Sequence, residues 1–376
     1  MKRGRARVLL IADFGQYGGT KTYFFSLIGF LLKKQCCVTA LLLDQNVLTG
    51  KEFDKLIKNG VEIKYIPSLV VTKKRRLIKF RLDKIIQLLL FIRLAFAGYN
   101  KVIVSTGNPF QFISGSLVFG NKFYYFLHTY PNIDYSYVQK PKIPLRKVFN
   151  KFLFIRKPNF ITVSNESKKH IINFLWVQKY SNYIKVIHNA STYTYEGKNE
   201  FKSNNIITIG HLEKYKNPFF WLEVACYVVD RNNTAQFSWL GDGSLMEQIR
   251  KKIPQDKHFN IHILGYISRV DQILKNGIIY FQPSLIESHG ISVIDAMVYS
   301  LPCVVSRRGG LPESVDDGIT GFICELNVTE VGEKLLYLLN NKEKAKEMGV
   351  AGYNKFINEF SIPIWEEKIE KVLFSN

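Results

Sequence analysis

Acidic residues are scarce in this chain relative to basic ones: 31 Asp and Glu stand against 52 Lys and Arg, for a net charge of +21. Such a balance asks for an anionic partner, whether nucleic acid, an anionic membrane surface or an anionic substrate. Cysteine is sparse as well. The five cysteines are odd in number, include the adjacent pair Cys36 and Cys37, and form no C-x-x-C. That leaves neither a disulfide frame nor a zinc cluster and fits a reduced, cytosolic chain. No D-x-D occurs, and the spacing of the remaining ligand-type residues is read as calling for no metal. No G-x-x-x-x-G-K-[ST] and no G-x-G-x-x-G follows an apolar run, which speaks against an ATPase or a dinucleotide enzyme. Long apolar runs are missing too. Ile85–Ala97 is interrupted by Gln87 and Arg93 and falls well short of the ~20 residues that span a bilayer. The N-terminus imitates a secretion signal, but its apolar run ends at Ala12 before Asp13, so a first buried strand is the better reading. Nucleic-acid binding is left with charge alone, since no recognition module is present.

With 376 residues, 47% of them hydrophobic, the chain suits two ordinary domains rather than one core. Apolar runs at Val8–Phe14, Val38–Asp44, Val61–Ile66, Lys101–Ser105, Lys122–His128, Ile161–Ser164 and Ile184–His188 read as strands, with helical patterns between them. Ser191–Asn205 has no useful periodicity and reads as a linker. The alternation restarts with strands at Ile206–Ile209, Ala235–Leu240, Phe259–Leu264, Ile278–Phe281, Cys303–Ser306 and Gly321–Cys324. From Thr329 the pattern is helical to the end, with Pro363 expected to break it. Continuously apolar strands alternating with helices imply α/β architecture: two doubly wound domains, each a parallel sheet covered on both faces. The expected boundaries are 1–190, a linker 191–205, 206–360, and a terminal helix 361–376 that packs back on the first domain. Ligands in such folds sit at the carboxyl ends of the strands.

Basic residues concentrate at Lys73-Lys-Arg-Arg76, Lys79, Arg81 and Lys84, and again between Lys140 and Lys157. Both stretches interleave with Leu, Ile and Phe. Two readings stand for Lys73–Ala97: an interfacial amphipathic helix, or a helix covering a sheet with its lysines solvated.

The stretch Gln282–Met297 carries the sharpest chemistry. A short strand gives way to the loop Pro283-Ser-Leu-Ile-Glu287, and Gly290 opens a helix over Ile291–Ser300. A helix N-terminus suits a phosphate. Asp295, one turn in on the same face as Ile291, suits hydroxyls beside it. The arrangement suggests a ligand with both phosphate and vicinal hydroxyls, such as a nucleotide sugar. Other strand ends offer Gly18-Gly19, Gly210-His-Leu-Glu-Lys-Tyr-Lys216, Gly241-Asp-Gly243 and Gly309-Gly310. His128 ends an apolar strand in the first half, where a lone histidine is more often structural than functional.

Together these motifs resemble the GT-B fold glycosyltransferases of family 4 (glycosyl transferases group 1), which retain configuration and use nucleotide sugars. The second half carries most of the likeness: Gly210-His-Leu-x-x-x-Lys216, Leu240-Gly-Asp-Gly243, Pro283-Ser-Leu-Ile-Glu287, Gly290 through Met297, Leu301-Pro302, and Gly309-Gly-Leu-Pro-Glu313 with Gly318-x-x-Gly321-Phe322. The first half matches more loosely, through Gly18-Gly19, His128, Val163-Ser164 and Val186-Ile-His-Asn189.

The resemblance implies two Rossmann-like domains facing a central cleft and assigns roles. Glu287 is the first acid of an E-x7-E pattern, near the donor sugar, and Asp295 stands where the second acid binds ribose hydroxyls. Backbone amides of Gly290, Ile291 and Ser292 receive the diphosphate, Lys216 neutralises it without a metal or other cofactor, and Gly18 and Gly19 close over it. His128 reaches the sugar near the acceptor. Three departures stand out: Asp295 in place of Glu, His211 in place of an arginine on the diphosphate, and His289 in place of an aromatic, with Ala190 besides replacing a glycine. The implied activity is transfer of a sugar from a nucleotide-diphosphate donor to a lipid-linked or polysaccharide acceptor, such as lipopolysaccharide, O-antigen, capsule or exopolysaccharide. The implied place is the cytoplasmic face of the membrane, held there by anionic lipid. The alternative, resting on His211 and Asp295, is a catalytically weakened nucleotide-sugar-binding or regulatory protein.

Overall fold

Strands that are apolar on both faces need helices on both sides, and each half of the chain builds a parallel sheet of that kind. The computed structural model describes residues 5–12, 18–65, 77–106, 112–129, 156–175, 178–194 and 203–375. The chain divides into two units, Met1–Ile187 and His188–Asn376. The sequence readings at Lys73–Arg76, at 146–155 in the second basic stretch and at 195–202 in the linker lie outside the described residues.

The first unit holds β1 (Arg7–Ala12), β2 (Cys37–Leu42), β3 (Glu62–Tyr65), β4 (Lys101–Ser105), β5 (Phe123–Leu127), β6 (Asn159–Thr162) and β7 (Ile184–Val186). Their order is β3-β2-β1-β4-β5-β6-β7, and every neighbouring pair runs parallel. In the second unit, β8 (Asn205–Ile209), β9 (Gln236–Leu240), β10 (Ile261–Gly265), β11 (Ile279–Gln282), β12 (Cys303–Ser306) and β13 (Gly321–Cys324) form a sheet of order β10-β9-β8-β11-β12-β13, again parallel throughout. The strand direction of travel reverses between β1 and β4 in one sheet and between β8 and β11 in the other. Those reversals open crevices at the carboxyl ends of the strands.

Alternation along the strands splits the second unit's core into two layers. Ile206, Phe237, Phe281 and Val304 pack with Trp221, Trp239 and Leu335 on one face. Ile207, Tyr280, Cys303 and Val305 pack with Val293, Ile294 and Met297 on the other. Adjacent residues thus go to opposite layers, the period-two rule of a strand buried on both sides. The helix Ile291–Val298 is thereby pressed onto the sheet beside β11, with its N-terminus at the crevice.

One expectation needs correction. Pro363 does not break the final helix but stands in the first turn of Ile362–Phe374, where its missing N–H costs nothing. The break falls earlier, at a π turn over Phe356–Phe360 and an extended Ser361. The helix Leu77–Phe96 covers the first sheet as one reading held, burying Gln87 and Phe91. Over residues 85–96, where side chains are described, its opposite side carries apolar residues. Ile85, Leu88, Leu89, Ile92 and Phe96 are all exposed there, Phe96 at 88%, and their spacing lines one helical stripe. No described helix is long and apolar enough to cross a membrane.

Candidate functional site in the second unit

The turns that leave β8 and β11 meet at the crevice of the second sheet. After β8 the chain passes Gly210 and His211 into a short 3-10 turn, Lys214–Lys216. The carbonyl of Tyr215 then accepts from the Leu285 amide at 2.8 Å, tying this turn to the loop after β11. The tie brings Lys216 Nζ into an ion pair with Glu287 Oε2. Both side chains are nearly dry, 10% and 17% exposed, so the attraction is weakly screened.

Glu287 is held from several sides. Its Oε2 takes the Ser284 hydroxyl at 3.5 Å, and Ser284 accepts from the Gln282 amide at 2.7 Å. Gln282 Oε1 in turn accepts from the Tyr280 hydroxyl at 2.5 Å and from Ser292 Oγ at 3.3 Å. A fully buried relay, Tyr280–Gln282–Ser284, therefore links the strand interior to Glu287 and to the first turn of the Ile291 helix. The main chain is fixed too, because Gly310 N–H donates to the Glu287 carbonyl at 2.8 Å. Gly309, at φ 58°, lies so close that a Cβ would stand 2.1 Å from that carbonyl oxygen. Only glycine fits there.

Gly290 is the N-cap of the helix at φ 85°, ψ 68°, with no side-chain cap and no acidic residue in the first turn. The N-terminal amides and dipole are thus not neutralised by the protein's own carboxylates, which favours an anion. Asp295 sits on the next turn, partly exposed. Its Oδ1 accepts the hydroxyl of Ser191 at 2.5 Å. Removal from solvent pushes its carboxyl up to about 7, with the Ser191 hydroxyl pulling it down.

His211 stands apart from this set. It is exposed and lies 3.8 Å from Asp242 Oδ1, so its partner is the Gly241-Asp-Gly243 turn. His289 is fully buried, and neither ring nitrogen has a hydrogen-bond partner. Its ring stacks on His188 at 4.7 Å and meets the Phe360 edge at 5.5 Å. Burial first, then His188, holds the imidazole down to about 3. It is an uncharged aromatic plate. His188 itself pairs with Glu313 at 3.0 Å.

In the first unit, Gly18 caps the helix Gly19–Lys33 at φ 111°, and both glycines are exposed. His128 follows β5 and is buried with both ring nitrogens unpartnered. Tyr23, one turn into the Gly19 helix, packs on its ring at 4.1 Å. The helix end and the histidine are therefore one local assembly. Burial pushes the His128 imidazole down to about 3, so it offers contact and hydrogen bonding but no positive charge.

Among the described residues no group of three or more His, Cys, Asp and Glu side chains is placed to hold a metal ion. The sequence reading missed one ligand-type spacing: His258 and His262 are four apart. They do not share a helix face. The chain turns at His258 and enters β10, and His262 Nε2 stands 3.0 Å from Gln236 Oε1. Sequence reasoning also passed over Ser191, Gln282, Ser284 and the His188–Glu313 pair. All but Ser191 lie in the motifs at the strand ends; Ser191 falls in a stretch with no periodicity and had no signal.

Residues 191–355 match the family described as Glycosyl transferases group 1. Among curated relatives, the poly(ribitol-phosphate) alpha-N-acetylglucosaminyltransferase of Staphylococcus aureus is 29% identical over 188 residues, 48% of this chain and 36% of that one. The UDP-Gal:alpha-D-GlcNAc-diphosphoundecaprenol alpha-1,3-galactosyltransferase of Escherichia coli is 28% identical over 43% of each chain. The chain thus spans less than half the length of these relatives. A solved glycosyltransferase from Rickettsia africae superposes with a TM-score of 0.78 at 15% identity, covering 99% of this chain and 100% of that one. That likeness speaks for the fold, two Rossmann-like α/β units of the GT-B type.

Proposed function

We propose that this chain, whose residues 191–355 form a glycosyl transferases group 1 domain, transfers a sugar from a nucleotide-diphosphate donor to a lipid-linked or polysaccharide acceptor. One observation carries the reading: the dry Lys216–Glu287 pair sits beside an uncapped helix N-terminus at the sheet crevice. The two relatives named above are a poly(ribitol-phosphate) N-acetylglucosaminyltransferase and a GlcNAc-diphosphoundecaprenol galactosyltransferase, which supports the acceptor class.

In this reading the donor diphosphate lies on the amides of Gly290, Ile291 and Ser292, with Lys216 supplying the compensating cation. Fixed dipoles and a cation aimed at the leaving diphosphate stabilise the charge that develops as the glycosidic bond breaks. Glu287, steadied by Ser284 and the Gly310 amide, faces the donor sugar. It keeps Lys216 in place in the resting state and accepts sugar hydroxyls when donor binds. Asp295 takes ribose hydroxyls. Departure of the diphosphate leaves an oxocarbenium-like sugar, and the leaving phosphate oxygen takes the acceptor proton as the acceptor attacks the same face. That sequence retains configuration and uses no metal, Lys216 and the helix dipole sharing the charge. His211, paired with Asp242, lends the diphosphate a secondary contact. The roles of Gly18, Gly19 and His128 follow the family resemblance, His128 acting as an uncharged contact to the sugar.

The finer placement is peripheral, on an anionic cytoplasmic membrane surface, supported by the exposed stripe Ile85, Leu88, Leu89, Ile92 and Phe96 beside Arg93 and the +21 charge.

Thermal unfolding across a panel of nucleotide sugars tests the reading. A donor at 100 times its dissociation constant adds roughly 2.7 kcal/mol of stability, and Glu287→Ala should abolish transfer from that donor. Equal stabilities across the panel sink the proposal, as does full transfer by the variant.

A further inference from the structure

The carboxylate assigned to ribose hydroxyls does not stand free. Ser191 Oγ donates to Asp295 Oδ1 at 2.5 Å. The serine is itself fixed: it is 1% exposed, its amide donates to the Phe360 carbonyl at 3.3 Å, and its Oγ accepts from the Tyr193 amide at 3.1 Å. A hydroxyl has one proton to give. With an N–H feeding its lone pair, that proton can go only outward, onto the aspartate. A serine held so tightly orients the aspartate rather than following it.

Two consequences follow from elementary chemistry. A carboxylate anchored through one oxygen loses rotamer freedom before any ligand arrives, which lowers the ordering cost of binding. A hydrogen bond donated to a carboxylate also favours its ionised form, while burial opposes it. Asp295 feels burial strongly, with Ser191 opposing. Tyr193, whose phenol burial first and Asp295 next push up to about 12, and Tyr299, with its ring 6.0 Å from that of Tyr193, stand beside it, and Asp271 and Tyr266 also act on Tyr193. None of these neighbours supplies a positive charge, and the Ser191 hydroxyl is the hydrogen bond that favours the ionised form.

We propose that Ser191 is a positioning residue for the donor: its clamped hydroxyl holds Asp295 as an oriented, ionised acceptor for the vicinal hydroxyls of the nucleotide's ribose. The proposal rests on the reading of Asp295 as a donor-binding residue. It also accounts for an aspartate doing this work. The side chain is one methylene shorter than glutamate, and the serine behind it offsets the lost reach with a fixed geometry.

The test uses the full chain and its variants Ser191→Ala, Ser191→Thr and Asp295→Asn. Affinities are measured calorimetrically between pH 6 and 8.5 for UDP, GDP, ADP and CDP, and for the 2′,3′-dideoxy form of whichever binds tightest. Wild type should prefer the ribose form and bind more tightly as pH rises. Asp295→Asn should lose both the preference and the pH dependence. Ser191→Ala should lose about fivefold to tenfold of the preference, the value of one hydrogen bond near a charge, and shift the pH midpoint upward. Ser191→Thr should restore both. A serine that merely packs would leave the midpoint unmoved. The proposal is overturned if Ser191→Ala keeps the wild-type preference and midpoint while Asp295→Asn loses them. If Asp295→Asn also behaves as wild type, or if no diphosphate binds, the donor-site reading beneath it has failed instead.

Discussion

The Lys216 ammonium and the Glu287 carboxylate, 71 residues apart, close an ion pair at the carboxyl edge of the second sheet. In the resting protein each is the other's ionic partner. In the proposed mechanism the pair is pre-formed machinery: the donor's diphosphate shares Lys216, and its sugar hydroxyls take over the Glu287 oxygens. Truncating one partner removes the opposite charge from the other in a nearly dry site, which costs roughly 3 kcal/mol or more. Lys216→Met and Glu287→Gln should therefore each destabilise the chain in urea. The double variant should be more stable than the sum of the single losses predicts. Transfer should fall by about 100-fold or more in either single variant. Additive losses in stability would show that the pair is not coupled.

Gly309 offers a check on how Glu287 is held. At φ 58°, and with a Cβ destined to meet the Glu287 carbonyl at 2.1 Å, Gly309→Ala adds backbone strain and a collision. Strain of that kind is worth on the order of 1–3 kcal/mol. The carbonyl must yield, and with it the loop that carries Glu287. Catalytic turnover is expected to drop more than nucleotide affinity, because Glu287 rides on the displaced loop while Ile291 and Ser292 belong to the helix. An unchanged melting temperature would contradict the close approach.

Much of this site is legible in the amino-acid sequence. β4, β12 and β13 begin and end where the apolar runs do, because strands buried on both faces leave no alternation to misplace. Lys216, Glu287 and Gly290 fall in the turns after strands, where α/β sheets place ligands, and Asp295 lies in the helix that Gly290 opens. Long-range pairing is not legible. Ser191 meets Asp295 across 104 residues, and neither periodicity nor motif speaks to a contact of that span. Nor is the fate of His289, a polar residue buried without a partner against His188 and Phe360, since sequence cannot say which imidazoles lose water. Pro363 misleads because proline ends a helix in its interior yet begins one at its first turn, and only the preceding residues' conformation separates the two.

Asp295 makes pH a readout of the second unit. Its folded carboxyl is pushed up to about 7 by burial, against an unfolded value of about 3.9. Between those values the folded state binds the extra proton, so stability falls as pH rises from about 4 to 7 and is level outside that window. The slope is at most about 1.4 kcal/mol per pH unit for one group. Donor affinity should run the other way, because the ionised form accepts hydroxyls. Asp295→Asn is expected to remove this share of both trends. Denaturant titrations of wild type and variant at pH 4, 5.5, 7 and 8 would expose a slope that does not change, and with it a carboxyl that is ionised throughout.

The exposed stripe of the Leu77–Phe96 helix asks to be covered. Ile85, Leu88, Leu89, Ile92 and Phe96 stand between 38% and 88% exposed, on the side away from Gln87 and Phe91. Fully burying an aliphatic or aromatic side chain of this size is worth about 1.5–3 kcal/mol, and each basic residue near an anionic surface adds about 1 kcal/mol. A protein partner would bury the stripe without regard to lipid charge, whereas a bilayer interface needs both terms. Wild type should sediment with vesicles containing phosphatidylglycerol at low salt and release as salt rises. The double variant Leu89→Ser/Phe96→Ser, which keeps every charge, should bind at least about tenfold more weakly. If it binds as wild type does, charge alone carries the association and the stripe serves something else. If wild type ignores anionic vesicles at low salt, membrane docking itself is wrong, because the lipid headgroups are then not what the +21 charge answers to.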